Sequence, residues 1–166
     1  QVSDGNGGTA TQAISITVTN VNEAPIASSV TLAAIAEDSG ARLITQAELL
    51  ATASDVDGPS LTATGLAIAS GGGALLDNGD GTWSYTPTAN DDTGVSFSYS
   101  ITDGSASVAG AANLDIVAVN DAPAGLAPGV VTLNENSLVG TLAATVTASD
   151  PDTGELFSFA LLDDGA

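Results

Sequence analysis

The run Val119-Asn120-Asp121-Ala122-Pro123, reached through Ala112-Asn113-Leu114-Asp115-Ile116-Val117-Ala118, decides the fold because it is the second occurrence of one pattern. The first is Val21-Asn22-Glu23-Ala24-Pro25, reached through the alternating stretch Ala13-Ile14-Ser15-Ile16-Thr17-Val18-Thr19-Asn20. The closing prolines, at positions 25 and 123, stand 98 residues apart. Other segments recur at nearly the same distance. Val2-Ser3-Asp4-Gly5 returns as Ile101-Thr102-Asp103-Gly104, Ala53-Ser54-Asp55-Val56-Asp57 as Ala148-Ser149-Asp150-Pro151-Asp152, and Glu37-Asp38-Ser39 as Glu135-Asn136-Ser137. Self-similarity at a fixed period marks a repeat protein, and about 100 residues is the size of one immunoglobulin-like sandwich. The chain therefore reads as an excised segment of a longer array. Residues 1–25 are the last strands and linker of one repeat, 26–123 a complete repeat with its linker, and 124–166 the front of a third, which stops at Asp163-Asp164-Gly165-Ala166.

Within the units the period is two, as for half-buried strands. Ala13 to Val21 reads as a strand, and its counterpart from Ala112 puts Leu114, Ile116 and Ala118 on one face. Val95, Phe97, Tyr99 and Ile101 alternate with Ser96, Ser98 and Ser100 and point inward. Leu75-Leu76, Asp77-Asn78-Gly79-Asp80-Gly81 and Thr82-Trp83-Ser84-Tyr85 form a hairpin in which Asp77 and Asp80 are turn residues. One short helix is expected over Thr45-Gln46-Ala47-Glu48-Leu49-Leu50, with Thr45 as its N-cap. Many short strands with Gly and Asp turns make this an all-β chain of tandem antiparallel β-sandwiches. Trp83, Tyr85, Phe97 and Tyr99 are assigned to its core.

Twenty Asp and Glu face a single basic residue, Arg42, for a net charge of -19. Such a chain repels nucleic acid and anionic membrane surfaces. Its hydrophobic fraction of 43% and mean hydropathy of +0.29 are enough for a core, so the acidity is not that of a disordered tail. It gathers instead in loop clusters such as Asp55-Val56-Asp57 and Asp150-Pro151-Asp152. Oxygen-only clusters suit a hard cation such as Ca²⁺. Without cysteine there is no disulfide framework, which favours a bacterial exoprotein. Without histidine or cysteine the usual Ser-His and Cys-His nucleophile pairs cannot form, and catalysis is not expected. No apolar run is long enough to span a membrane.

Glu37-Asp38-Ser39 after one strand, Asp-x-Asp after another, Asp-Gly in a late loop and Asn-(Asp/Glu)-Ala-Pro at the repeat end resemble cadherin repeats. Leu49 to Gly58 and Asn78 to Pro87 look like the cadherin-like and VCBS tandem repeats of large bacterial RTX adhesins. That resemblance implies calcium at the inter-repeat junctions. The first junction would use linker Asn22 and Glu23 with Asp55, Asp57 and Asp103 of the complete repeat. The second would use Glu37, linker Asn120 and Asp121, and Asp150 and Asp152 of the third repeat. Asp91 or Asp92 matches another cadherin acidic motif poorly, Asp4 would serve a preceding junction and Glu135 a following one. The linkers carry fewer acids than the vertebrate form, which implies fewer ions per junction.

The expected role is a non-catalytic extracellular or cell-surface module, stiffened by calcium between neighbouring repeats and acting as an extender in adhesion and biofilm formation. Cell-surface or matrix glycans would be reached through other regions. The alternative is a calcium-dependent glycan-binding (exopolysaccharide) module, which needs exposed aromatic rings that this sequence scarcely supplies.

Overall fold

A computed structural model describes residues 1–58, 60–127 and 131–160. Two sheets face one another between Val30 and Val117. The first is four-stranded, in the order β3 (Val30–Ala36), β9 (Ser107–Val117), β8 (Val95–Thr102) and β5 (Thr62–Ser70). The second has three strands, in the order β4 (Arg42–Thr45), β7 (Thr82–Thr86) and β6 (Ala74–Asp77). All pairings are antiparallel except β3 with β9, which run parallel from Val30↔Ala112 to Ala36↔Val117. That pairing brings the first and last strands of the sandwich side by side, so Glu37 lies next to the chain leaving β9.

The inward faces follow the alternation in the sequence. Val95, Phe97, Tyr99 and Ile101 of β8 and Ala112, Leu114 and Ile116 of β9 are buried, and they meet Ile44, Trp83 and Tyr85 of the opposite sheet. Tyr85 and Phe97 form an edge-to-face pair across the two sheets, with centroids 5.3 Å apart. The two tyrosine hydroxyls reach backbone carbonyls, Tyr99 to Leu49 at 2.7 Å and Tyr85 to Gly72 at 2.9 Å, which removes the cost of burying a phenol. The Tyr99 ring lies over Gly110, where any Cβ would collide with it. In β5 the register slips between Thr64 and Ala67, where Gly65 takes a φ of 65°, a bulge that only a residue without Cβ adopts cheaply.

The helix α1 (Gln46–Leu49) is capped by Thr45 as expected, with a full capping box. Thr45 accepts from the Glu48 N–H at 3.3 Å, and Glu48 accepts from the Thr45 N–H at 2.9 Å. The 77–81 hairpin also forms, with positive φ at Gly79 and Gly81. Asp77 and Asp80 accept from the Gly79 and Thr82 amides, as turn residues do.

Two expectations fail. Ala118 is exposed, because β9 ends at Val117 and the linker begins there. Residues 13–21 form no strand, and Ile14, Ile16, Val18 and Val21 are 70–88% exposed. The pattern is that of a strand, but a strand needs neighbours for its backbone groups, and no described segment pairs with this one. Only β1 (Val2–Ser3) and β2 (Thr9–Ala10) pair before the first linker.

After the second linker, β10 (Ala124–Ala127) pairs with β11 (Thr147–Ser149). This repeats the Ile26–Ser54 bridge at the start of the sandwich. Asn136 has a φ of 65° where its counterpart Asp38 has 54°. The closing Asp163-Asp164-Gly165-Ala166 lies outside the described residues. Among the described residues no helix is long and apolar enough to cross a membrane.

Candidate metal centres at the two junctions

The residues named for the first junction converge on the loops at one end of the sandwich. Asn22, Asp55, Asp57 and Asp103 line one cleft. Asn22 donates its side-chain amide to Asp103 Oδ2 at 3.0 Å, and the Glu23 backbone N–H donates to Asp57 Oδ2 at 2.7 Å. Asp57 in turn donates its N–H to Asp55 Oδ1 at 2.8 Å. Asn20, which the sequence reading missed, donates to the other Asp57 oxygen at 2.6 Å.

These bonds shift the titration of the carboxyls they reach. Asp57 is held below the ordinary carboxylate range, first by the Glu23 N–H and then by the Asn20 amide. Asp103 is held down by the Ala106 and Ser105 amides and then by Asn22. Glu23 is pushed up by its hydrogen bond with the Asp57 carboxylate and by the charge of that group. Asp55 Oδ2 is buried with no hydrogen-bond partner among the described residues.

The second junction joins the opposite end of the sandwich to the β10–β11 pair. Glu37, Asp121 and Asp152 bring one carboxylate oxygen each to within 4.8 Å of one another. Glu37 is only 5% exposed, and its Oε1 accepts the Val119 N–H at 2.7 Å. Asp152 Oδ2 accepts the Asp121 N–H at 2.7 Å, and Asp150 Oδ1 accepts the Asp152 N–H at 3.0 Å. Asn120 donates to the Asp121 carbonyl at 2.6 Å. Asp121 is lifted by burial and then by the negative charges of Asp38, Asp152 and Asp150. Its Oδ2 is buried with no partner among the described residues.

The cleft beside this cluster is lined by Glu37, Asn90, Asp92, Asn120, Asp152 and Glu155, among others. Asp92 and Asn90 arrive on the loop before β8. The polar run Asn90-Asp91-Asp92 was their signal in the sequence. Glu155 had none. Asp91 instead closes a local turn onto Thr93. Asp4 does the same on Asn6 and Gly8. Glu135 is exposed in a turn.

A buried carboxylate oxygen with no donor is costly, and each junction has one. The side chains around them are carboxylates with the Asn22 and Asn120 amides, the oxygen-bearing groups that a hard cation of about six to eight ligands takes. The residues thus fit calcium. The cluster of Glu37, Asp121 and Asp152 could hold a metal. The four sandwich aromatics are buried (Trp83 3%, Tyr85 0%, Phe97 1%, Tyr99 5%) and offer no stacking platform for a sugar.

A family model described as a cadherin-like domain matches residues 21–117. No curated protein matches the chain. Among solved structures, an endo-fucoidan hydrolase of glycoside hydrolase family 107 is 27% identical, with 58% of this chain and 14% of that one covered and a TM-score of 0.37. A second endo-fucoidan hydrolase of the same family is 25% identical, covering 59% of this chain and 17% of that one at a TM-score of 0.36. The extracellular domain of protocadherin GammaB4 is 18% identical, covering 76% of this chain and 22% of that one, also at 0.36. The chain thus spans less than a quarter of each of these proteins.

Proposed function

This chain belongs to the cadherin-like domain family, and on that premise we propose that it is a non-catalytic, calcium-binding extracellular repeat module whose junctions calcium makes rigid. The observation that carries this reading is the meeting of Glu37, Asp121 and Asp152 within 4.8 Å. They come from the sandwich, the linker and the β10–β11 unit. Acids supplied by three separate segments repel one another unless a cation is shared between them, and sharing it fixes the segments' relative orientation. Asn120, Asp150 and Glu37 with Asp121 and Asp152 would hold the ion at the second junction. Asn22, Glu23, Asp55, Asp57 and Asp103 would do so at the first.

The ion would supply positive charge and coordination, with no redox or acid–base chemistry. Binding only the ordered junction stabilises it by RT ln(1 + [L]/Kd), and extracellular modules commonly have a Kd of about 10⁻⁴ to 10⁻³ M. In a longer array of such repeats, calcium converts a jointed chain into a rod. This is the property an extender needs in a bacterial surface or secreted adhesin of the RTX type, where the array would project a distal binding region for adhesion and biofilm formation.

The test compares melting and small-angle scattering in calcium and in EDTA, with calorimetric calcium titration of the wild type and of Asp55→Ala/Asp57→Ala. Calcium raises the melting temperature and narrows the distribution of inter-repeat angles, and the double variant loses the first junction's ions while keeping the second's. Identical melting curves and scattering profiles in calcium and EDTA would refute the reading.

A further inference from the structure

The two linkers are fastened by the same device. In each, the acidic residue before Ala-Pro donates its backbone N–H to the second aspartate of the Asp-x-Asp loop that follows. Glu23 donates to Asp57 Oδ2 and Asp121 to Asp152 Oδ2, both at 2.7 Å. In each, the carboxylate of the first aspartate of the pair accepts the backbone N–H of the second. Just beyond each linker the chain pairs with the strand leading into that loop. The Ile26 and Ser54 backbones exchange two bonds of 2.9 Å, and Ala124 pairs with Ser149. The loop spacings differ, 34 residues in one case and 31 in the other, yet the arrangement is the same.

The second linker is also fastened from the other side. Glu37 Oε1 accepts the Val119 N–H at 2.7 Å, and Glu37 gives its own N–H to the Val117 carbonyl at 2.9 Å. Two carboxylates from two units therefore hold the amides of Val119 and Asp121, with one residue, Asn120, between them. Each bond uses protein groups alone and leaves the second oxygen of Glu37 and of Asp152 for other partners.

We propose that Asp57, Asp152 and Glu37 are positioning residues that clip the linkers to the repeats through backbone amides before any cation binds, so that the hinge freed by chelation is the single residue Asn120. The hinge role rests on the calcium reading above; the clips do not. Charge-assisted bonds to a backbone N–H are among the stronger ones, and an exposed amide held this way exchanges its proton more slowly than a free one. Docking the linker in advance lowers the entropy that ion binding must overcome. It also directs any bending to a fixed point between repeats.

The test uses the full chain, labelled for NMR, in EDTA and in calcium, with Asp152→Asn and Asp152→Ala. Asparagine keeps an acceptor oxygen but loses the charge; alanine loses both. In EDTA the Asp121 amide of the wild type and of Asp152→Asn exchanges about two- to tenfold more slowly than that of Asp152→Ala, the factor one net hydrogen bond supplies. Calcium affinity falls in both variants. Backbone order parameters in EDTA dip at Asn120 and recover at Val119 and Asp121. The Phe97 amide in the sandwich core reports that each variant is folded.

Equal exchange of the Asp121 amide in the wild type and Asp152→Ala overturns the clip, and so does protection that appears only when calcium is added. Uniform flexibility from Ala118 to Ala122 overturns the hinge. A chain that ignores calcium while its amides behave as described overturns the proposed function and leaves the clips standing.

Discussion

The Asp38 carboxylate accepts the Asn90 backbone N–H at 3.0 Å, and both residues stand in the left-handed region, with φ of 54° and 56°. Two loops at the lower end of the sandwich are thereby tied, one carrying Glu37 and the other Asn90 and Asp92 toward the second junction's cleft. Asp and Asn tolerate this backbone better than other residues with a Cβ. Asp38→Asn keeps both the acceptor and the tolerance, and its stability should stay within about 0.5 kcal/mol of the wild type. Asp38→Ala loses both and should cost about 1 to 2 kcal/mol. Asp38→Gly, which relaxes the backbone but drops the bond, should fall between them. Urea denaturation in EDTA measures all three, and equal midpoints for Asn and Ala would rule out the tie.

The capping box at α1 gives a pH dependence of definite sign. Burial raises the Glu48 carboxyl, but bonds from the Thr45 N–H and hydroxyl and from Arg42 outweigh it and hold the group below the ordinary glutamate range. The Arg42–Glu48 contact is 2.8 Å. A carboxylate lowered on folding stabilises the fold above its unfolded pKa, and that contribution disappears as pH falls through the folded value. Glu48→Gln retains an acceptor in the box but does not titrate. The wild type should therefore be the more stable of the two at neutral pH, and the gap should close in acid. A gap that stays constant from about pH 7 to about pH 2, well to either side of the ordinary glutamate range, would show that the charge of Glu48 contributes nothing.

Periodicity made the sandwich readable because each inward residue of β8 and β9 has a partner strand on both sides. The same alternation at 13–21 forms no strand, since a period of two encodes which face is apolar but says nothing of whether a neighbouring strand exists. The junction acids were legible as Asp-x-Asp and Asn-(Asp/Glu)-Ala-Pro. Their amide clips were not, because a backbone N–H has no signature in sequence and Glu37 meets Val119 only through parallel pairing of strands 82 residues apart. The left-handed Asp38 and Asn90 were hidden for the same reason, as each residue type is common in ordinary turns.

The exposed alternation at 13–21 supports a last prediction, of no effect on the sandwich. Ile14, Ile16 and Val18 are 82–88% exposed, so they bury little apolar area and contribute little to the core between Val30 and Val117. Replacing all three by threonine keeps their β-branching and strand propensity while removing an unpaired apolar face of the kind that promotes association. The stability of the sandwich, from urea unfolding followed through Trp83 fluorescence, should change by no more than about 0.5 kcal/mol. Self-association in sedimentation should decline. Leu114→Ala, at a position 2% exposed, should instead cost about 2 to 5 kcal/mol. If the triple threonine variant loses as much stability as Leu114→Ala, residues 13–21 pack against the sandwich in solution.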